Sequence, residues 1–98
     1  MNQSVICEAI QEKNILEFNY NGHARTVEPH AHGISTKGNN CLRCYQVAGG
    51  SSSGKTTGWK MMKTDNISAL SVSQENFSSP RNGYKKGDKH MSNIFCEL

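Results

Sequence analysis

The feature that most constrains the fold of this chain is an alternating segment that ends in an Asn-Gly pair. Along residues 16–20 apolar and polar side chains alternate, which is the period-two pattern of a strand with one buried face. Asn21-Gly22 follows directly, and both residue types accept the positive φ angles of a tight hairpin turn. We therefore predict a β-hairpin in which residues 23–28 return beside the first strand.

Short apolar runs separated by turn residues continue after this hairpin. Pro29 lacks the amide hydrogen that a central strand donates, so we expect the chain to bend there before the next strand begins. An amphipathic pattern over residues 4–13 predicts a short helix ahead of the hairpin. Closely spaced strands of this kind are typical of a small barrel. The further strands are expected at residues 31–35, 41–47, 59–63 and 67–72.

The predicted architecture is mainly β, with a single domain over residues 1–98. A chain of 98 residues holds one compact core but not a catalytic domain with a separate substrate domain. We expect Phe18, Leu42 and Trp59 in that core. The parts of the domain are the helix at 4–13, a barrel of about five strands at 15–72 and an irregular C-terminal arm at 73–98. The end of this arm, residues 94–98, either adds a final edge strand or stays loose.

Charge and cysteine content restrict the partners and the compartment. The formal net charge of +3 permits an anionic partner without requiring one. The chain has four cysteines, but we find neither a secretory signal nor the run of roughly 20 apolar residues that a membrane span needs. We therefore expect a cytoplasmic protein with reduced thiols and no membrane partner.

Residues 49–56, Gly-Gly-Ser-Ser-Ser-Gly-Lys-Thr, match the pattern of a phosphate-binding loop. Such a loop needs a helix that starts at its lysine, so that the first helical amides point at the phosphate. The β-like runs on both sides favour a mobile hairpin loop instead. Hydrolysis dependent on Lys55 is thus the less favoured alternative. No nucleophile and base have a local signature either, and we expect no enzyme activity.

Cys41 and Cys44 have the spacing of half of a metal-binding knuckle or of a redox pair. Residues three apart on a strand point to opposite faces, so the two sulfurs cannot share one ion there. His30 and His32 share a strand face and offer a second pair, but a ligand set scattered in this way is not typical of zinc sites. We predict buried thiols, with no metal and no cofactor.

A set of basic and aromatic strand residues is the best candidate for a binding site. Small barrels bind nucleotides and single-stranded nucleic acid through cations that hold phosphate and aromatic rings that stack on bases. The alternative is an ordinary solvated face of charged strand residues, and the sequence leaves both open. The predicted ligand-binding residues are Arg25, His30, His32, Arg43, Tyr45, Lys60 and Lys63.

Several segments, in their order along the chain, resemble the WYL domain, a small SH3-like or Sm-like β-barrel of bacterial and phage regulators. The similarity covers about residues 5–87. The segments that carry it are 16–22 (LEFNYNG), 25–30 (RTVEPH), 38–45 (GNNCLRCY), 59–70 (WKMMKTDNISAL) and 80–84 (PRNGY).

The resemblance implies a regulatory sensor that binds an anionic nucleotide or a single strand of RNA or DNA. In such a sensor we expect Arg43 and Lys63 to contact phosphate and Tyr45 to stack on a base. His30 and His32 would complete the polar wall of the site. Because relatives commonly control transcription through an attached DNA-binding helix-turn-helix, for which this chain has no room, we expect a stand-alone sensor domain with a protein partner or as a homodimer.

The chain departs from the family pattern at two places. The name-giving Trp-Tyr-Leu triplet aligns with Asn40-Cys41-Leu42, and one of two family arginines is replaced by Asn66, the other by Lys63. A site of this composition is expected to hold an anion more weakly. The alternative from a different class is an SH3-like protein–protein interaction module that uses an exposed edge strand or residues 85–89.

Overall fold

The computed structural model describes residues 3–51 and 53–98. In this part of the chain, one short helix precedes six strands, and a single 3-10 turn, Thr64–Asn66, links the fourth strand to the fifth. No described helix has the length and apolar content needed to cross a membrane. The elements are α1 (Gln3–Glu12), β1 (Asn14–Tyr20), β2 (His23–Ser35), β3 (Asn40–Gly49), β4 (Gly58–Lys63), β5 (Ile67–Asn76) and β6 (Met91–Glu97).

All six strands belong to one antiparallel sheet in the order β4-β3-β2-β1-β5, with β6 paired to β2. The mainly β class with a short N-terminal helix is confirmed. The sheet curls, and the Lys63 amide at the end of β4 donates a 3.1 Å hydrogen bond to the Tyr20 hydroxyl at the end of β1. It does not close, however, because β4 and β5 are end strands among the described residues.

The first hairpin forms as the Asn-Gly pair predicts. Asn21 and Gly22 have φ angles of 50° and 77°, and Leu16 and Val27 are partners in the register of β1 with β2. The next expectation is wrong, because no separate third strand begins after Pro29: β2 runs unbroken from His23 to Ser35. The β2–β3 register shifts between Pro29 and Ala31, so a bulge takes up the break that we expected to end the strand.

The neighbour of β2 on one side changes at this bulge. Residues 23–27 pair with β1, whereas residues 31–35 pair with β6. Pro29 lies between the two pairings, and on its other side it is the partner of Cys44 in β3. Near the far end of β2, Gly33 allows β6 to approach closely, since a Cβ atom at this position would collide with the Asn93 carbonyl oxygen.

The predicted irregular arm at 73–98 needs correction. β5 continues to Asn76, and β6 occupies residues 91–97, so the irregular part is residues 77–90 and the last residue, Leu98. We call residues 77–90 the covering loop. It lies over the face of the sheet that α1 leaves free, as the contacts of the candidate site show.

The main core lies between α1 and the inner face of the sheet. The helix contributes Ile6, Ala9 and Ile10 at helical spacing. Alternating strand positions supply the rest, and all are buried: Leu16, Phe18, Val27, Leu42, Cys44, Met62 and Ile67. The expected core positions of Phe18 and Leu42 are therefore confirmed.

A disulfide joins Cys7 on α1 to Cys96 on β6, 89 positions apart in the sequence. The prediction of reduced thiols is wrong for this pair, although Cys41 and Cys44 are free. The bond ties the helix to the last strand and restricts the unfolded chain. Because such bonds are typical of oxidising compartments, the pairing also removes one argument for a cytoplasmic location.

Candidate functional site

Part of the predicted basic wall exists on the outer face of β3 and β4. Residues directly opposite one another in an antiparallel pair share a face of the sheet. The register pairs Tyr45 with Trp59, Arg43 with Met61 and Cys41 with Lys63. Arg43 and Tyr45 therefore share the outer face, as the alternation of β3 predicts, and the register adds Lys63 of β4 to that face.

The covering loop binds to this face through two ion pairs. The Arg43 guanidinium donates to both Asp88 carboxylate oxygens, at 2.7 and 3.4 Å. The Arg81 guanidinium donates to both oxygens of Glu28, at 2.7 and 3.0 Å, and lies 4.7 Å from the centre of the Tyr45 ring. Charge-assisted hydrogen bonds therefore hold the covering loop on the outer face, in addition to apolar packing.

Two adjoining depressions, of about 320 and 390 Å³, meet at Arg43 and His90 between the covering loop and the β3–β4 face. We call them together the Arg43 cleft. Six of the eleven lysines and arginines of the chain line it, with Asp88 as the one carboxylate among the described lining residues. Its charged and aromatic lining consists of Lys37, Arg43, Trp59, Lys63, Tyr84, Lys85, Lys86, Asp88, Lys89 and His90.

Asp88 occupies the place on Arg43 that an anionic ligand would need. Burial raises the pKa of the Asp88 carboxyl, but the hydrogen bonds from Arg43 and from the His90 amide outweigh burial and hold that pKa below its usual value. The carboxylate is therefore charged at neutral pH. It acts as an internal counterion that any phosphate on Arg43 must displace or share.

The aromatic residues of the cleft differ from those that the sequence suggested. Tyr45 is half-buried, with Arg81 over its ring, and it lines neither depression. Trp59, expected in the main core, instead lines the cleft beside Tyr84, with ring centres 6.4 Å apart and planes 24° from parallel. Its indole N–H donates a 3.1 Å hydrogen bond to the Asn82 carbonyl.

His30 is an interior residue, so its predicted place on a ligand-facing wall is wrong. Its Nε2 accepts a hydrogen bond from the Arg81 amide, and its Nδ1 lies 2.8 Å from the Glu28 carbonyl oxygen. Since Nε2 accepts, Nδ1 carries the proton and the ring is neutral. Burial lowers the pKa of His30 despite the opposing effects of Glu28. The ring packs against Trp59, Phe77 and Tyr84 and supports the covering loop.

Two further predicted site residues, Arg25 and Lys60, lie away from the cleft. Arg25 is 4% exposed and donates to the Gln46 side chain and the Tyr20 carbonyl. Lys60 is opposite Cys44, on the other face of β4, and its ammonium donates to the Lys55 carbonyl at 2.8 Å and to the Ser51 hydroxyl at 3.4 Å. The period of two along β4 could have revealed this position, because Trp59 and Lys63 point to one side of the strand and Lys60 points to the other.

His32 also departs from the predicted wall. It is 1% exposed and packs edge-on against Phe95, with ring centres 5.3 Å apart. Burial lowers its pKa. Neither of its ring nitrogens has a hydrogen-bond partner among the described residues.

The structure also places the two remaining sequence motifs, the phosphate-loop pattern and the Cys41–Cys44 pair. No helix begins at Lys55, because the described part of 50–57 is an exposed hairpin loop between β3 and β4. Cys41 packs with Ala31 and Met91, and Cys44 lies in the main core on the opposite face. Burial raises the pKa of both thiols, that of Cys44 to about 12.

Sequence reasoning missed the contribution of the covering loop. The cluster of Lys85, Lys86 and Lys89 is visible in the sequence as a local charge excess. Its assignment to an irregular arm hid its position, because nothing in the local pattern indicates which face of the sheet the arm contacts. Asp88 and Tyr84 were missed for the same reason.

The chain matches no family profile, no curated protein and no solved structure.

Proposed function

We propose that this protein is a non-enzymatic regulatory module that binds an anionic nucleotide or a single-stranded nucleic acid in the Arg43 cleft. We further propose that its curled sheet is a variant of the SH3-like or Sm-like barrel of WYL domains, which the sequence resembles. In this proposal the domain acts in the cytoplasm as a stand-alone sensor for a partner protein.

One observation carries the proposal: the positive charge is concentrated in one concave region. Six cations line the cleft with one carboxylate, although the whole chain has a formal net charge of only +3. A concave surface lined by one sign of charge raises the local concentration of oppositely charged ligands. Arginine and lysine bind phosphate through charge-assisted hydrogen bonds, and such contacts supply most of the sequence-independent affinity for nucleic acids.

The division of roles follows from the position of each side chain. Arg43 binds phosphate in exchange for the Asp88 carboxylate, while the exposed ammonium groups of Lys63 and Lys85 add further phosphate contacts. Trp59 and Tyr84 provide the aromatic surface for a base, worth about 1–3 kcal/mol per stacked base. This arrangement replaces the expected stacking on Tyr45, whose ring is covered by Arg81.

The test uses matched pairs of charge removals. Fluorescence anisotropy measures binding of a labelled oligonucleotide of about eight nucleotides to the original protein and to Lys85→Gln plus Lys86→Gln. The control, Lys13→Gln plus Lys55→Gln, removes the same charge outside the cleft. We expect the cleft variant to bind more weakly. The slope of log affinity against log salt concentration should also become less steep, by about 0.7 for each phosphate contact that is lost. Equal losses in both double variants would contradict binding in the cleft.

Nucleotides are tested in parallel by thermal shift, because a ligand that binds the native state raises its apparent stability. Arg43→Ala plus Lys63→Ala is the most severe cleft variant. Nucleotide or oligonucleotide binding that survives this double substitution unchanged rejects the assignment.

A protein-interaction module is the second candidate, and the edge strand β5 favours it. β5 spans ten residues, is largely exposed and pairs only with β1 among the described residues. A partner strand added to such an edge would gain backbone hydrogen bonds. Salt separates the two candidates, because phosphate binding weakens steeply with ionic strength and strand addition does not.

A further inference from the structure

Cys7, His32 and Cys96 come together from three elements at the junction of α1 and the sheet. His32 on β2 and Cys96 on β6 are direct partners in the sheet register and therefore share a face. α1 places Cys7 against this pair. The ligand atoms of the three residues, one nitrogen and two sulfurs, all lie within 4.8 Å of one another.

The buried ring of His32 lacks hydrogen-bond partners for its nitrogen atoms among the described residues. The residue is 1% exposed. Buried polar atoms without partners are rare in folded proteins and call for an explanation. His30, two positions away on the same strand, has both nitrogens bonded. The neighbouring disulfide offers His32 no strong donor or acceptor.

We propose that Cys7, His32 and Cys96 bind a zinc ion when the disulfide is reduced. Two thiolates and one imidazole are a recognised zinc ligand set that leaves the fourth position to water or a small ligand. Zn–S and Zn–N bonds of about 2.3 and 2.0 Å in a tetrahedron require roughly 3.8 Å between the sulfurs and roughly 3.6 Å from sulfur to nitrogen. The two sulfurs are bonded to each other in the disulfide, so reduction must first let them move apart. Because all three ligand atoms already lie within 4.8 Å of one another, the movements that the site requires are on the scale of side-chain rotations.

Charge balance favours the ion at this site. Two thiolates cancel the charge of Zn²⁺, and a neutral imidazole adds none, so the complex is neutral where burial penalises net charge. The ion also gives one His32 nitrogen the partner that the protein does not provide. The other nitrogen remains available to hydrogen-bond a water molecule that enters with the metal.

The metal-bound and disulfide states exclude each other because they use the same two sulfurs. A small-molecule disulfide, R–S–S–R, is the oxidant. One protein thiolate attacks it, releasing RS⁻ and leaving a mixed disulfide; the second thiolate attacks that bond, releasing another RS⁻. The two electrons pass from the protein sulfurs to R–S–S–R, and Zn²⁺ is freed. Either state links α1 to β6, by an S–S bond or through the ion.

The first experiment loads the full chain with cobalt, a spectroscopic substitute for zinc. The protein is reduced, the reductant is removed without air, and Co²⁺ is titrated. We expect one Co²⁺ per chain, with thiolate-to-cobalt charge-transfer absorption and the intense visible bands of a tetrahedral site. Zn²⁺ should displace it, and oxidised glutathione should abolish the absorption and restore the disulfide. Absence of stoichiometric binding to folded, reduced protein would overturn the proposal.

Substitutions then locate the site. We expect Cys7→Ser, Cys96→Ser and His32→Phe each to lower Co²⁺ affinity more than about 100-fold, beyond the loss that a misplaced supporting residue causes. The control, Cys41→Ala plus Cys44→Ala, removes the free thiols and should keep both the affinity and the absorption. Binding that is unchanged without Cys7 and Cys96, or lost in the control, overturns the assignment to these three residues.

Circular dichroism accounts for the case in which reduction unfolds the chain. Metal that restores the native spectrum of the reduced protein supports the site, since metal binding is then coupled to folding. Failure to refold with Zn²⁺ present contradicts it. The oligonucleotide test of the Arg43 cleft uses the disulfide form, so failure of either proposal is distinguishable from failure of the other.

Discussion

The two faces of β3 are stabilised by different physical means. On the inner face, Leu42 and Cys44 are fully buried in the apolar core beneath α1. On the outer face, Arg43 and Tyr45 contact the covering loop through an ion pair and a cation–π contact. Buried apolar side chains have no competing partner in water. An ion pair at a partly exposed face does, because water or another ion can replace either charged group. The inner face is therefore suited to hold the fold, and the outer face is where we propose that a ligand binds.

The largest effect that this comparison predicts is on the inner face. Leu42→Ala removes buried methyl groups from the main core and should lower the free energy of unfolding by about 2–5 kcal/mol. Urea denaturation measures it. Val72→Ala is the control, because Val72 is 42% exposed on β5 and should change stability by less than about 0.5 kcal/mol. Similar losses of unfolding free energy in Leu42→Ala and Val72→Ala would contradict the stabilising role of the inner face.

A smaller loss of unfolding free energy is expected when the contact between the covering loop and Glu28 is removed. Arg81→Gln removes two charge-assisted hydrogen bonds to a side chain that is 6% exposed, and should cost about 1.5–3 kcal/mol. Hydrogen exchange should also become faster at the Arg81 amide, which now donates to His30. Lys86→Gln removes an exposed charge from the same loop and should change neither. An unaltered exchange rate in Arg81→Gln would show that the ion pair does not hold the loop.

The outer face should also lose stability in mild acid. Burial keeps the pKa of His30 in the folded protein below its ordinary value of 6.5. The unfolded chain then binds the extra proton first, so the contribution is complete above pH 6.5 and declines as the pH falls from 6.5 towards the folded pKa. The slope of the unfolding free energy against pH, measured just below pH 6.5, should be smaller in His30→Gln by at most about 1.4 kcal/mol per pH unit. A slope that is unchanged in His30→Gln would contradict this contribution of the buried ring.

The smallest expected effect concerns the internal counterion. Asp88→Asn removes the carboxylate from Arg43 and should raise affinity for an anionic ligand about fivefold, since a nearby unit charge at a surface contributes on the order of 1 kcal/mol. Anisotropy titrations with the same oligonucleotide measure the change. Weaker binding in this variant would mean that Asp88 helps to form the ligand site rather than competing for it.

The inner face was predictable because its signals are local. The alternation along residues 16–20, the Asn21-Gly22 turn and the helical spacing of Ile6 and Ile10 each require only a short window of sequence. Alternation along β3 also placed Arg43 and Tyr45 on one face, which the register with β4 bears out. Where a side chain's environment follows from strand period alone, sequence reasoning succeeded.

The outer face was not predictable because its partners are distant and aperiodic. Nothing near Arg43 in the sequence indicates that Asp88 will bind it, and nothing near His30 indicates a bond from the Arg81 amide. The continuation of β2 through Pro29 depends likewise on the change of neighbour from β1 to β6. The pairing of Cys7 with Cys96 joins the two ends of the chain, which no local pattern encodes.

Trp59 provides the most direct test of ligand binding in the cleft. It is the only tryptophan of the chain and lines the Arg43 cleft, so its indole N–H gives a single NMR resonance at the site. We predict that a single-stranded oligonucleotide or a nucleotide shifts this resonance in a saturable way, and that raising the salt concentration reverses the shift. A ligand that binds by anisotropy while the Trp59 resonance stays in place would contradict the account.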